Sequence, residues 1–274
     1  MIYRDIDFNE LWQEARRQKS WSGKSRADWN KKAKSFAKRA AHSGYADIFV
    51  DRMHPAPEWT VLDVGSGPGT LSLPLARRVR KVTAMDYSSQ MLAILKQQAE
   101  NEKVVNIETV EAAWEDDWRK IGIKPHDAVI ASRSLAVDDL AAALLKMNQW
   151  ARKVVFVTDR VGAAPFDPEA FAAVGREFSP GPDYIYTVNI LYQLGIHAKV
   201  DFISLPPVTI LASREDAHAS YAWMFDRLTP GEEQKLAVYV DSRLTGTADG
   251  QYRLQLRTPP TWAFIHWEKS QESA

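Results

Sequence analysis

Three glycines at alternate positions, Gly65, Gly67 and Gly69, stand in the segment Val61-Leu62-Asp63-Val64-Gly65-Ser66-Gly67-Pro68-Gly69-Thr70, after an apolar run and before a helical pattern. A turn of this composition lets backbone approach a ligand closely and permits positive φ, both of which a side chain would obstruct. Two carboxylates accompany it. Asp63 stands two residues before the first glycine, and Asp86 closes the next apolar run, where a carboxylate can accept both hydroxyls of a ribose. Without its acids the same turn would read as an ordinary glycine-rich connection.

The spacing bears on which ligand the turn suits. A dinucleotide fingerprint would put its third glycine where this chain has Thr70. Asp63 also sits badly beside a pyrophosphate, because like charges would face each other in a partly dry site. A cationic sulfonium that carries an ammonium and a ribose matches both carboxylates. A nicotinamide-dependent oxidoreductase stays open as an alternative on these residues alone.

The elements that must position these residues follow a clear rhythm. Apolar or β-branched runs at 60–64, 81–85, 104–110, 127–131 and 153–158 predict strands, and the amphipathic stretches 69–79, 88–102 and 137–150 between them predict helices. This alternation implies an α/β fold, a doubly wound and mostly parallel sheet whose ligands gather at the carboxyl ends of the strands. Residues 8–51 are helical in pattern, with breaks at Gly23 and Gly44, and 53–58 with Pro55 and Pro57 read as a linker. After 160 the pattern becomes helical at 168–178, 183–194 and 213–244, the last divided at 229–231, with strands at 198–204 and 261–267 and a possible partner strand at 252–256. The resulting organisation is an N-terminal helical cap over 1–52, a ligand-binding core over 59–160, and a C-terminal part over 161–274 that completes the sheet and carries helical insertions.

The stretch 61–95, with its Asp63 to Thr70 turn and then Met85-Asp86-Tyr87-Ser88-Ser89-Gln90-Met91-Leu92, resembles the class I S-adenosylmethionine-dependent methyltransferases. The resemblance extends over 60–158 and implies a Rossmann-like sheet of seven strands with the last antiparallel. It also implies that S-adenosylmethionine is the cofactor and S-adenosylhomocysteine the product. Carried over by position, it assigns the methionine end to Asp63, Gly65, Ser66, Gly67 and Gly69, the ribose to Asp86, and the adenine to Tyr87 and Met91. The third strand end departs from the family: Ala113 stands where many relatives have an acid, and Trp114 is the group that could stack on the base instead. The fourth strand end, Ser132-Arg133-Ser134, resembles the part of the family that borders the reactive methyl. It lacks the Asn/Asp-Pro-Pro-Tyr/Phe signature of amino methylation on nucleobases or glutamine.

Methyl transfer from a sulfonium is an in-line displacement with the leaving group built in, so alignment matters more than a general base, and no catalytic residue is assigned. Candidate substrate contacts are Arg133, which could pair with a carboxylate, and Tyr186, Asn189, Tyr192 and Gln193 on the helix at 183–194. Trp29 and Phe36 could roof the cofactor or anchor their helix. The expected acceptor is a small molecule. RNA is an alternative, because residues 16–39 hold ten lysines and arginines against one aspartate, and a protein substrate or a non-catalytic S-adenosylmethionine-binding module are others.

Composition sets the outer bounds. Lysine plus arginine equal aspartate plus glutamate at 35 each, which removes a whole-chain electrostatic argument for nucleic acid or anionic membrane. With no cysteine, thiolate ligands and nucleophiles are excluded, and the six histidines, at 42, 54, 126, 197, 218 and 266, show no ligand spacing, so no metal is expected. No export signal or membrane helix is legible, and the expected location is cytoplasmic.

Overall fold

A computed structural model describes residues 3–21, 23–40 and 44–269. The chain opens with helices α1 (Phe8–Arg17), α2 (Arg26–Ala40) and α3 (Tyr45–Met53). Strands and helices then alternate through β1 (Thr60–Val64), α4 (Ser72–Ala76), β2 (Lys81–Asp86), α5 (Ser89–Asn101) and β3 (Ile107–Glu111). They continue with β4 (His126–Ser132), α6 (Leu140–Trp150) and β5 (Ala151–Arg160). The rest comprises α7 (Pro168–Val174), α8 (Tyr184–Gln193), β6 (Lys199–Ser204), β7 (Val208–Leu211), α9 (Arg214–Ala222) and α10 (Pro230–Asp241), then β8 (Leu244–Gly246), β9 (Tyr252–Gln255) and β10 (Thr261–Glu268).

Seven strands form one sheet in the order β3-β2-β1-β4-β5-β10-β6. Strands β1 to β5 pair in parallel, and β10 runs antiparallel between β5 and β6, as expected for this fold class. The order reverses between β1 and β4, which opens a crevice at their carboxyl ends. Both faces are covered because the central strands are mostly apolar: α1, α6 and α8 cover one, with Trp12, Leu140, Leu144 and Ile190 in its core. On the other, Phe49 of α3 and Leu75 of α4 pack on Val61, Ile130 and Phe264.

Two expectations need correction. Residues 252–255 do not pair with the last strand but form a separate antiparallel sheet, β7-β9-β8. This small sheet backs α7, α9 and α10 around its own core of Phe171, Tyr221, Phe225 and Leu254, so the C-terminal insertion is helical and stranded rather than helical alone. The sheet frees β10 to insert its Trp262-to-Trp267 run between β5 and β6. The helix expected at 69–79 is also shorter, because Gly65 to Gly69 and the turn after them take up its first residues.

The loop from β3 into β4 is anchored by Trp118, which is fully buried against Trp114 and Trp150 and whose indole N–H donates to the Ala113 carbonyl at 3.2 Å. Lys146 on α6 holds the same loop through the Trp114 and Asp116 carbonyls at 2.6 and 2.7 Å. Replacing Trp118 by alanine should therefore lower the unfolding free energy by about 3–5 kcal/mol. Urea unfolding at unchanged m-value measures this, and a loss below about 1 kcal/mol would show that the loop is not anchored there.

Candidate active site

Asp63 lies inside β1 and its side chain is buried under the glycine turn, where its carboxylate accepts the Ser72 hydroxyl at 2.6 Å. Burial, reinforced by the nearby charge of Asp86 and opposed by the Ser72 bond, raises its pKa to about 7. Asp86, also buried, accepts the Gly67 N–H on one oxygen and the Ser88 N–H on the other, both at 2.8 Å. Burial raises its pKa as well, against these two bonds and the Arg26 charge. Each oxygen keeps a lone pair, so the carboxylate can still accept from a ligand.

The glycine turn itself is specific in its geometry. Gly65 has φ at 71°, and a β-carbon on it would stand 2.5 Å from Ser134 Cβ. Gly69 has φ at 88°, and a β-carbon there would overlap Leu95 Cδ1. Neither position tolerates a side chain. The turn's amides are already engaged: Gly65 and Ser66 donate to the Met85 carbonyl at 2.8 and 3.0 Å, Gly67 to Asp86, and Gly69 to the Ser66 carbonyl at 3.1 Å. A phosphate cradle needs such amides free, so this turn is not one. It offers carboxylate instead, and the buried Ser66 hydroxyl has no partner among the described residues, which leaves a polar atom for a ligand to meet. These features fit a cationic adenosyl ligand with an ammonium.

The other strand ends close around this centre. Ser88 caps α5 by accepting the Met91 N–H at 3.2 Å and donates to Asn30 of α2 at 2.6 Å. Burial raises the Tyr87 phenol to about 12, with the Asp86 charge adding, and Arg26 of α2 lies 5.5 Å from the ring centre. Met91 is buried on the first turn of α5. Ala113 donates its N–H to Asp116 at 2.8 Å, and the Trp114 indole reaches across to the Ser134 carbonyl at 3.2 Å, linking the third strand end to the fourth. Ser132 belongs to a triangle of hydroxyls: Tyr45 of α3 lies 2.7 Å from both Ser132 Oγ and Thr158 Oγ1, which are 3.2 Å apart. Phe36 of α2 stands over Gly67 and packs edge-on against Trp29, which in turn meets Trp223 just after α9.

The structure thus gathers Asp63, the glycine turn, Ser66, Asp86, Tyr87, Met91, Ala113, Trp114, Ser132 and Arg133 at one edge of the sheet. It does not bring the α8 residues there. Gln193 bonds the Ile6 carbonyl and the Phe8 amide, Asn189 bonds the Ile185 and Tyr3 groups, Tyr192 stacks edge-on with Tyr3 and His197, and Tyr186 packs into the core beside α1. The reason is that α8 lays Ile190 and Leu191 on the sheet and so presents its polar side to the amino-terminal segment. Sequence reasoning missed Tyr45 as a polar contact, and with it Asn30, Ser72, Thr158 and Lys146, none of which carries a local signal. His42 lies outside the described residues. Among the described residues no cluster of three or more histidines or acids could hold a metal.

Comparison with known proteins agrees with this geometry. A family model described as a methyltransferase domain matches residues 61–154. An uncharacterized protein of Haemophilus influenzae is 33% identical over 273 residues, covering 97% of this chain and 98% of that one. A probable ribosomal RNA small subunit methyltransferase A of Methanosphaera stadtmanae is 38% identical over 73 residues, 27% of this chain and 26% of its own. Among solved structures, a putative methyltransferase from Bacillus halodurans superposes with a TM-score of 0.56 at 13% identity, over 82% of this chain and 98% of that one. With its seven-stranded sheet, its acid-flanked glycine turn and these matches, the chain belongs to the class I S-adenosylmethionine-dependent methyltransferases.

Proposed function

We propose that this methyltransferase acts on a small molecule held above the ends of β4 and β5, beside the cofactor. The observation that carries this is the roof. Helix α2 ties α5 through Asn30 and Ser88 and meets Trp223 beyond α9 through Trp29, so the strand ends are covered on the side a large acceptor would have to approach. Several of the cations of residues 16–39 lie against partners within the fold. Arg16 pairs with Asp138 at 3.2 Å and Arg26 with Glu111 at 3.6 Å, Lys19 lies over Trp21, and Lys24 and Lys32 both lie over Trp223. Charges spent on internal partners do not track a phosphate backbone, which weighs against an RNA acceptor.

In this reading Asp63, Ser66 and the Gly65 to Gly69 turn hold the methionine end, Asp86 the ribose hydroxyls, and Tyr87, Met91, Ala113 and Trp114 the adenine. When bound, the cofactor supplies a methyl group on a sulfonium, a leaving group that needs no proton. The protein's share is alignment and exclusion of water. Trp29 and Phe36 cover the turn, and the Tyr45-Ser132-Thr158 hydroxyls fix the floor at the fourth and fifth strand ends.

Three outcomes test this account. Label from a methyl-labelled cofactor, incubated with fractionated cell extract, should enter the ultrafiltrate; label confined to RNA or protein would contradict the small-molecule acceptor. Asp86→Ala should weaken S-adenosylhomocysteine binding by about a hundredfold, since it removes a buried carboxylate from two ligand hydroxyls and from the turn. Glu102→Ala, which breaks only a surface pair with Arg77, should leave affinity within about twofold; equal losses in calorimetry would remove Asp86 from the site. The third outcome is a pH dependence. An ammonium prefers ionised Asp63, and that carboxyl is protonated below about 7, so S-adenosylhomocysteine affinity should fall as pH drops through this value. The limiting slope is about tenfold per pH unit, and Asp63→Asn should abolish it. The same raised pKa makes the ligand-free fold hold a proton that the unfolded chain releases above 3.8, so Asp63 costs stability as pH rises toward 7. A flat pH profile in the wild type would contradict the Asp63 assignment.

A further inference from the structure

Arg133 directly follows β4 with φ at 57°, a left-handed backbone that is strained for a residue with a β-carbon and persists only where its surroundings enforce it. Here the enforcement is visible: the Arg133 N–H is shared between the Thr158 carbonyl and hydroxyl, each at 3.2 Å. The turn sends the guanidinium over the Tyr45 ring, 4.0 Å from its centre, and to 5.6 Å from that of Trp262. Both rings are buried, yet Arg133 itself keeps accessible surface. Among the described residues no carboxylate, carbonyl or hydroxyl accepts from its side chain, and the one ionisable group acting on it is the Tyr45 phenol. A guanidinium stacked between two buried rings, with its donors open on the accessible side, is placed to take an acceptor from a ligand.

The position of this cation separates it from the cofactor groups. Asp63, Asp86 and Trp114 lie at the ends of β1, β2 and just past β3, whereas Tyr45, Thr158 and Trp262 place the guanidinium toward β5 and β10, on the other side of β4. Arg133 itself stands one strand step from β1, and its guanidinium is turned from there toward Tyr45 and Trp262. The charge balance narrows the ligand further. A lone guanidinium matches one negative charge in bidentate geometry, and among the described residues no second cation acts on Arg133 as a phosphate dianion would require.

We propose that Arg133 receives a carboxylate of the methyl acceptor and thereby orients it above the Tyr45-Ser132-Thr158 hydroxyls. The acceptor is then a carboxylic acid whose methylated atom lies away from the acid group, toward β1. This rests on the strand ends being the methyl-transfer site.

The test uses the full chain, calorimetry with S-adenosylhomocysteine, and then ligand-detected NMR with benzoate and with inorganic phosphate on the S-adenosylhomocysteine-saturated protein. Wild type should bind benzoate in preference to phosphate. Arg133→Met should lose benzoate by about tenfold or more while keeping S-adenosylhomocysteine affinity, which also reports that the variant is folded. Arg133→Lys, which keeps the charge but not the fork, should retain intermediate benzoate binding and serves if Arg133→Met does not fold. Loss of S-adenosylhomocysteine affinity in a folded variant would put the guanidinium on the cofactor and overturn the proposal. So would benzoate binding that is absent from the wild type, weaker than that of phosphate, or unchanged in both variants. Absence of S-adenosylhomocysteine binding in the wild type is a separate result, and it would instead sink the cofactor assignment on which the proposal stands.

Discussion

One carboxylate ties this site together. Asp86 accepts the Gly67 amide from the first strand-to-helix turn and the Ser88 amide from the second, so two loops that differ in origin are fixed relative to each other by a single buried side chain. Taking a carboxylate out of water is unfavourable, and the two amides offset part of that cost. The glycine turn can then fold with its own amides inward, presenting acid and an unpartnered serine hydroxyl where a dinucleotide site would present free N–H groups. The fold's general capacity to bind a nucleoside becomes a preference for one that carries positive charge.

The helical preface completes what the sheet begins. Tyr45 of α3 reaches between β4 and β5 to join Ser132 and Thr158, and Asn30 of α2 reaches the cap of α5. Helix α2 also bears on the C-terminal unit through aromatic edges and two lysines over one tryptophan. The strand ends are thus walled by residues from both ends of the chain. The proposed cofactor contacts lie on the β1 to β3 side of the sheet, and the aromatic and guanidinium groups lie on the β4 to β10 side.

Much of this was legible in the sequence, for physical reasons that differ by residue. Strands β1, β2, β4 and β5 were clear because parallel strands buried on both faces must be nearly continuous apolar runs. Asp63 and Asp86 stood out because an acid at the end of such a run needs a reason to be there. The small sheet was not legible: Val208–Leu211 and Tyr252–Gln255 are short, half exposed and flanked by proline or polar residues, so they imitate loops or partners of the nearest long strand. The polar side of α8 was visible as a pattern, but which neighbour covers it is decided by tertiary packing, and the amino-terminal segment took that place. Tyr45 looked like one more apolar residue of a cap, since a phenol's partner more than eighty residues away leaves no local trace.

The central claim is that two aspartates and the glycine turn between their strands form a seat for an adenosyl sulfonium. Hydrogen exchange of the full chain, with and without S-adenosylhomocysteine, measures that seat directly at the backbone. Slower exchange in the segments 63–70 and 84–92, with no such slowing by NADH, is the expected result. Slowing of these segments by NADH, or slowing by S-adenosylhomocysteine only elsewhere in the chain, would contradict it.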